Sequence, residues 1–305
     1  MGKATRASFG ETIVKLAEKN KDIIVIDGDL SKSTMTGEFA KKFPDRWLNV
    51  GIAEGNMVGV GAGLALSGKI PFICSFACFL VGRFEQIRMS IAYTRANVKI
   101  VGTHVGIGIG EDGYSQMGLE DVALIRSLPN IAIIQPADDI EAQKAVPYIV
   151  EHDGPCYFRL TRQKLEDVNQ SNYEFKFGKG VVLKDGSDVT IIASGGVVYN
   201  SLIASKELQK EGINVEVINI HTIRPLVVEL ILSSAEKTGR IITIEDHSIN
   251  GGLGSAVCEL LCEKLPTKVK RIGLKDFGES GEQKELYHKY GFSTEKIKNE
   301  VKNFM

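Results

Sequence analysis

The sequence predicts an α/β protein made of two doubly wound domains, each built around a parallel sheet. Its 305 residues suit two domains of roughly 150 residues each. Short β-branched runs alternate with longer amphipathic stretches, which is the pattern of successive βα units. A polar stretch at 163–179 interrupts that alternation. We therefore expect a first domain over residues 1–170, a linker over 171–186 and a second domain over 187–305.

The elements of each domain follow from the spacing of their apolar residues. In the first domain, β-branched runs predict strands at 22–27, 70–75, 98–102, 131–135 and 155–160. Apolar residues at i, i+3, i+4 and i+7 predict helices between them, at 8–19, 54–66, 83–95 and 139–151. The second domain repeats the pattern with strands at 188–193, 214–220, 240–245 and 268–274. Its helices are expected at 199–210, 252–263 and 294–303.

The charge balance and the hydropathy of the chain exclude several classes of partner. Lys and Arg total 37 and Asp and Glu total 38, so the net charge of -1 gives no global attraction to nucleic acid or anionic lipid. The N-terminal segment lacks the apolar run of a secretory signal, and no later segment is apolar enough to span a bilayer. We expect a cytoplasmic protein with neither nucleic acid nor membrane as a partner.

Familiar nucleotide-binding and catalytic motifs are missing from the sequence. Gly106, Gly108 and Gly110 follow a predicted strand, but their spacing is not that of a dinucleotide-binding turn and two acidic residues come next. Walker A, Gly-x-Ser-x-Gly and His-Glu-x-x-His patterns do not occur. The five cysteines lack the companions of a zinc site, so we interpret them as buried free thiols and predict no metal ligands in this chain.

Several residues are nevertheless placed where a ligand would need them. Glu54 lies among small residues where a loop enters a Gly-rich helix, and it either stabilises the helix N-terminus or offers a sequestered carboxylate to a heterocycle. Phe76 and Phe79 end a predicted strand and form either core or a stacking platform. The polar loop 103–116 follows the next strand, at the edge where open α/β sheets bind ligands. Two isolated basic residues, each an ordinary surface charge when taken alone, are Arg6 and Arg162.

The order of these segments resembles the pyrimidine-binding domain of transketolases over nearly all of residues 4–165. Its specific motifs are Phe76-x-x-Phe79 with Gln86-Ile87-Arg88-Met89, and Gly110-Glu111-Asp112-Gly113-Tyr114-Ser115-Gln116. Residues 176–305 are similar to the transketolase C-terminal domain through Gly195-Gly196, Arg224-Pro225 and Glu245-Asp246-His247. The resemblance implies a pyrimidine-binding domain with a parallel sheet, followed by a transketolase C-terminal-like domain.

The resemblance also implies that the chain binds thiamine diphosphate. Glu54 would hydrogen-bond N1′ of the aminopyrimidine ring and favour its imino tautomer, and the cofactor would serve as an electron sink. Phe76 and Phe79 would pack on the same ring. Asp29 and Leu30 fall at cofactor-binding positions, and Leu30 would help to hold the cofactor in its bent conformation.

The implied reaction is transfer of a two-carbon ketol unit from a ketose phosphate to an aldose phosphate. Asp112 matches a position that contacts a sugar hydroxyl, and Gln116 matches one that touches the donor's terminal hydroxyl. His104 and Asp112 are expected to act with Glu54 as catalytic residues. The positions that bind the substrate phosphate in the family are occupied here by Arg6, Ser33, His104 and Arg162.

One half of the family's cofactor site has no counterpart in this sequence. Transketolases hold the diphosphate and a divalent cation through a Gly-Asp-Gly segment followed further along by Asn. Only Asp27-Gly28-Asp29 comes near this pattern, and its place in the order of motifs is that of the pyrimidine-binding domain. The resemblance therefore implies the C-terminal subunit of a split transketolase. An N-terminal subunit would carry the diphosphate site and most contacts to Mg²⁺ or Ca²⁺, in an α2β2 assembly.

Two related enzymes and one non-enzyme remain as alternatives. A deoxyxylulose-phosphate synthase would usually show Gly-Ala-Asp-Gly-Pro-Thr-His, where this chain has Gly-Glu-Asp-Gly-Tyr-Ser-Gln at residues 110–116. The β subunit of a 2-oxoacid dehydrogenase usually has Thr-Pro-Ile upstream of its Glu-x-Gly, which differs from Val50-Gly51-Ile52-Ala53-Glu54 in this chain. A non-catalytic binding or regulatory module on the same fold would have less reason to keep Glu54, both rings and both arginines.

Overall fold

A computed structural model describes residues 2–305 and shows two α/β units. The first sheet contains six parallel strands, which are β1 (Ile23–Asp27), β2 (Trp47–Asn49), β3 (Ile70–Phe76), β4 (Lys99–Thr103), β5 (Ala132–Ile134) and β6 (Cys156–Arg159). Their order across the sheet is β5-β6-β4-β3-β1-β2, so the chain crosses over between neighbours and winds in both directions.

The second sheet has five strands in the order β12-β11-β8-β9-β7. They are β7 (Val181–Lys184), β8 (Val189–Ala193), β9 (Val215–Asn219), β11 (Arg240–Ser248) and β12 (Lys268–Leu274). All pairs are parallel except β7 with β9. The short β10 (Thr222–Arg224) comes from this unit but pairs antiparallel with β5, so a segment of the second unit adds an edge strand to the first sheet.

Helices cover both faces of each sheet. The first unit contains α1 (Thr5–Lys19), α2 (Ser31–Thr34), α3 (Gly37–Lys42), α4 (Glu54–Leu66), α5 (Ala77–Val81), α6 (Phe84–Gln86), α7 (Asp121–Ser127) and α8 (Asp139–Glu151). The second unit contains α9 (Val198–Lys210), α10 (Val228–Thr238), α11 (Leu253–Lys264), α12 (Gln283–Lys289) and α13 (Thr294–Phe304). None of the helices in residues 2–305 combines the length and the apolar content that crossing a membrane requires.

Strand β1 illustrates why these sequences form two-sided sheets. Ile23 and Val25 pack into an apolar cluster with Phe9 and Ile13 of α1, whereas Ile26 packs on the opposite side with Met57 of α4. Because successive side chains point to opposite faces, a strand that is covered on both sides must be apolar throughout. The sheet is therefore buried, and only its ends are open for a ligand.

The structure confirms the two-domain α/β class and corrects several expected details. Instead of one regular helix, 83–95 forms α6 followed by a π-helical segment at Ile87–Tyr93. Strand β7 lies inside the expected linker 171–186, where it pairs antiparallel with β9; the domain boundaries themselves stay a prediction. The cysteines are free, but Cys262 is exposed and two others are only partly buried. The wider π turn keeps Ile87 and Ile91 in the core, so apolar spacing alone predicts a helix there.

Candidate active site

The carboxyl ends of β1, β3, β4 and β6 open onto one cavity of about 470 Å³. In a parallel sheet these ends lie at the same edge, so residues far apart in the sequence are brought together. The cavity gathers nine of the residues that the sequence predicts for the site, together with Lys32, which was not among them. The predicted residues are Arg6, Leu30, Ser33, Phe76, Phe79, His104, Asp112, Gln116 and Arg162.

Glu54 is the first residue of α4, where the helix N-terminus favours a negative charge. Only 4% of the residue is exposed, and Ser75 Oγ donates a hydrogen bond to Oε1 at 3.0 Å. Within residues 2–305 no group donates to the second oxygen, Oε2. A Cβ on Gly28 would lie 3.4 Å from Oε1, so β1's following turn approaches the carboxylate closely. A desolvated carboxylate with a free acceptor atom suits a ligand that carries an N–H group.

Phe76 and Phe79 form a stacked pair, with ring centroids 5.3 Å apart and planes 12° from parallel. Helix α5 starts directly after β3, and its first turn places both rings on the same side. Phe76 also stacks on His104, with centroids 3.6 Å apart. Phe76 is buried and Phe79 is half-buried, so the pair is core at one end and open at the other. This arrangement provides a surface for a flat ring.

The turn after β1 is held by the buried Asp27. Its Oδ1 accepts from the backbone N–H of Leu30 at 2.6 Å, and its Oδ2 accepts from Thr34 and Thr36 at 2.6 and 2.8 Å. Burial raises the pKa of Asp27 above its ordinary value, and these hydrogen bonds oppose the rise. Leu30 is thereby fixed in the cavity wall. Asp29, at φ 68°, lies outside the lining and accepts from Asn49 Nδ2 at 3.0 Å.

The other end of the cavity contains two guanidinium groups. Arg6 Nη1 donates to the carbonyl of Ser33 at 2.7 Å and to His104 Nε2 at 3.1 Å. Arginine has no acceptor atom, so the imidazole proton must be on Nδ1, which then donates to Thr103 Oγ1 at 2.9 Å. Burial, followed by the charges of Arg6 and Arg162, lowers the pKa of His104 to about 3. His104 is therefore neutral near pH 7 and orients Arg6.

Arg162 lies on the opposite wall and is held by the loop after β4. Its Nη1 donates to the carbonyl of Ile109 at 2.5 Å, and its Nε is 3.8 Å from Asp112 Oδ2. Burial and the charge of Arg162 lower the pKa of Arg6 from its ordinary value, with Asp112 opposing. Two neighbouring guanidinium groups and a single partly exposed carboxylate leave excess positive charge. An anionic group would relieve that repulsion.

The structure also shows residues that the sequence did not single out. Ser75 holds Glu54, Thr103 fixes the tautomer of His104, and Lys32 lines the cavity as an exposed cation. Ser75 and Thr103 are small hydroxyl residues at the ends of buried strands, which is a weak signal without the sheet register. Lys32 could have been found from its place between Leu30 and Ser33.

The glycine-rich turns of the second unit are filled by the protein's own side chains. A Cβ on Gly195 would lie 2.0 Å from Gln135 Nε2, so that amide occupies the space over the turn. At α11, Glu245 accepts from the N–H groups of Leu253 and Gly254 at 2.7 and 2.8 Å. Burial raises the pKa of Glu245 to about 7, against these hydrogen bonds. Its carboxyl group occupies the position that an anion takes at an open helix N-terminus.

The residues present fit one part of thiamine diphosphate. The free Oε2 of Glu54 and the half-open Phe79 ring suit an aminopyrimidine, which offers ring nitrogen and a flat face. For the charged end of that cofactor, no three His, Cys, Asp or Glu side chains in residues 2–305 are grouped to hold a metal ion. The fit therefore concerns the pyrimidine ring alone.

These features define a two-domain α/β protein with a ligand cleft at the carboxyl edge of its first sheet. The transketolase pyrimidine-binding domain matches residues 1–168, and the transketolase C-terminal domain matches residues 178–297. The chain belongs to the transketolase family.

Relatives differ in how much of their own length the chain covers. It is 44% identical to a putative transketolase C-terminal section of Methanocaldococcus jannaschii, covering 98% of this chain and 95% of that protein. It is 40% identical to a 6-deoxy-6-sulfo-D-fructose transketolase subunit of a Clostridium species, covering 96% and 91%. Human transketolase is 38% identical over 99% of this chain but only 49% of its own length.

A solved structure supports the same fold. A chain described as split gene transketolase, inactive beta4 tetramer, superposes with a TM-score of 0.92 at 43% identity. The match covers 99% of this chain and 98% of that one. Both units, and their relative placement, therefore follow a known transketolase-type subunit.

Proposed function

We propose that this chain is the C-terminal subunit of a split, thiamine-diphosphate-dependent transketolase, which moves a two-carbon ketol unit from a ketose phosphate to an aldose phosphate. The observation that carries the proposal is the buried Glu54 carboxylate, with one oxygen unpaired. Ser75 donates a hydrogen bond to this carboxylate, and the next residue in the chain, Phe76, lines the cavity that contains the two arginines. Family membership supports the reaction class.

The part of the site in this chain would act on the pyrimidine ring. When bound, thiamine diphosphate supplies a nucleophilic carbon and an electron sink for breaking and forming a carbon–carbon bond. Glu54 would share a proton with ring N1′ through Oε2, because Oε1 is already occupied by Ser75. Phe79 would cover the ring face, and Leu30 would contact the cofactor from the cavity wall, whereas Asp29, next to it in the same turn, would act from outside that lining.

Substrate would be held by its anionic end and its hydroxyl groups. Arg6 and Arg162 would bind phosphate oxygens, and the Ser33 segment would complete that end of the cavity. Neutral His104 would keep Arg6 aimed at the phosphate. The partly exposed Asp112 would accept a hydrogen bond from a sugar hydroxyl. Gln116, which also lines the cavity, would contact the donor's terminal hydroxyl.

A sulfonated sugar is a second candidate substrate. One relative at 40% identity is described as acting on 6-deoxy-6-sulfo-D-fructose, and another, 41% identical, as acting on apulose 4-phosphate. Sulfonate and phosphate both present three oxygens to guanidinium groups, but phosphate carries more charge near pH 7. Competition between the two classes of sugar in the assay described below would separate these candidates.

The proposed assembly is an α2β2 heterotetramer in the cytoplasm. Its N-terminal subunit would contribute the diphosphate site and most ligands of Mg²⁺ or Ca²⁺. This proposal is supported by relatives that match nearly the whole chain and are described as a C-terminal section or as subunits. The alternatives on the same fold, a deoxyxylulose-phosphate synthase or 2-oxoacid dehydrogenase type of subunit, have no counterpart among the relatives reported above.

Reconstitution tests the proposal directly. The chain is mixed with a purified diphosphate-binding transketolase subunit, thiamine diphosphate and Mg²⁺, and ketol transfer between phosphorylated sugars is measured. We expect turnover from the mixture and none from either chain alone, because each holds only half of the cofactor site. A stable complex that binds the cofactor but transfers nothing would instead favour a non-catalytic module.

Replacement of Arg162 tests the anion site. Arg162→Ala should raise KM for phosphorylated sugars roughly 10–100-fold and change kcat less, since charge-assisted hydrogen bonds to phosphate are lost. Lys32→Ala is the matched control, because Lys32 is an exposed cation on the same cavity and should have a smaller effect. Equal KM values for wild type and the Arg162 variant would contradict this role.

A further inference from the structure

The loop between β4 and α7 carries Asp112 and Gln116, yet its own sequence gives it little rigidity. Gly106, Gly110 and Gly113 all have left-handed φ angles of 75–82°. Glycine reaches these angles without strain but also loses more conformational freedom than other residues when it is fixed. Besides its own backbone hydrogen bonds, contacts from outside the loop therefore help to keep it in one conformation.

Asp246, at the carboxyl end of β11 in the second unit, supplies these contacts. Its Oδ1 accepts from the backbone N–H of Ile107 at 2.8 Å, and its Oδ2 accepts from that of Gly108 at 3.3 Å. A Cβ on Gly106 would come within 2.2 Å of Oδ2, so only glycine permits this approach. The carboxylate is itself held by Tyr287, whose hydroxyl donates to Oδ2 at 2.9 Å.

The far side of the loop is covered by the segment between β12 and α12. Phe277 packs on Tyr114 with ring centroids 4.3 Å apart. A Cβ on Gly113 would lie 2.4 Å from Ser280 Oγ, which shows how closely the segment follows the loop. The second unit therefore contacts the loop at its start and near its end.

We propose that Asp246 is a positioning residue, through which the C-terminal domain fixes the substrate-binding loop and so the orientation of Arg162. The link is short. Ile107 and Gly108 are held by Asp246, and the next residue, Ile109, accepts from Arg162 Nη1. The same loop carries Asp112 to within 3.8 Å of Arg162 Nε. This role depends on the proposed function only for the identity of the ligand that the loop binds.

Hydrogen exchange in the full-length chain tests the structural half of the proposal. In Asp246→Asn, the amides of residues 106–112 should exchange about 10-fold faster or more, because the N–H groups of Ile107 and Gly108 lose their charged acceptor. Glu245→Gln is the matched control. Glu245 is also a buried carboxylate on β11 that accepts from two backbone N–H groups, but both belong to α11. The control should leave exchange of 106–112 unchanged.

Kinetics of the reconstituted enzyme test the functional half. Asp246→Asn should raise KM for phosphorylated sugars several-fold with kcat within about 3-fold, whereas a general loss of structure would lower kcat and cofactor binding together. Should Asp246→Asn unfold, Tyr287→Phe decides, since it removes only the hydroxyl that donates to Asp246 Oδ2 at 2.9 Å and should speed exchange of the same loop. Unchanged exchange at 106–112 in the folded variants would overturn the proposal. Faster exchange without any ketol transfer by wild type would contradict only the proposed function.

Discussion

Replacing Glu54 with glutamine is expected to lower kcat of the reconstituted enzyme by roughly 100–1000-fold, within the range that general acid–base groups contribute. Glutamine keeps the shape and can still accept from Ser75, but it cannot share a proton with a ring nitrogen as a carboxylate does. The measurement is single-turnover and steady-state ketol transfer, with cofactor affinity determined separately. Because Phe76 and Phe79 are untouched, cofactor affinity should fall far less than kcat.

Ser75→Ala provides the matched control for Glu54. It removes the one hydrogen bond that positions Oε1 and leaves the carboxylate in place, so kcat should fall only about 5–10-fold for a neutral donor of about 1 kcal/mol. If Glu54→Gln retained the activity of wild type while binding the cofactor, its assignment as the proton-sharing group would be wrong. If both variants lost activity equally, Glu54 would be acting through packing.

The sequence predicted those elements whose residues are locally consistent. The expected helices 54–66 and 139–151 are found with the same bounds, because residues at helical spacing are buried along each of them. Strands β2, β7 and β10 were not predicted, since each has only a few residues and lies at a sheet edge. Cys262 was expected to be buried, but its position on α11 faces solvent.

The site could be predicted in its residue types and only partly in its connections. Glu54 begins a Gly-rich helix and the two phenylalanines lie at a strand end, so the chemistry of each can be inferred from its own short segment. The contact between Ile107 and Asp246 joins residues 139 apart and depends on how two sheets meet. Such a contact has no local signal, which is why the second domain's part in the site emerges only from the structure.

Removing Asp121 is expected to cause the largest loss of stability, about 3–5 kcal/mol. Asp121 is fully buried, and its carboxylate accepts from Arg159 Nε at 2.7 Å and from Tyr157 Oη at 2.7 Å. In Asp121→Ala the guanidinium of Arg159 would stay buried without its counter-charge. Thermal unfolding should show a midpoint lower by roughly 10 °C. Glu38→Ala, which breaks an exposed pair with Lys41, should change it little.

The pH dependence of stability should distinguish this charge pair from a packing effect. Burial alone would raise the pKa of Asp121, but the charge and hydrogen bonds of Arg159 lower it below its ordinary value. The carboxylate therefore stabilises the fold above its unfolded pKa near 3.8, and that contribution is lost as pH falls through the lower folded value. Asp121→Ala should lack this acid-side loss. Since Arg159 Nη2 also donates to the carbonyl of Asp246 at 3.0 Å, the same variant should loosen residues 106–112. An Asp121→Ala protein with unchanged stability and the wild-type pH profile would refute the pair's role.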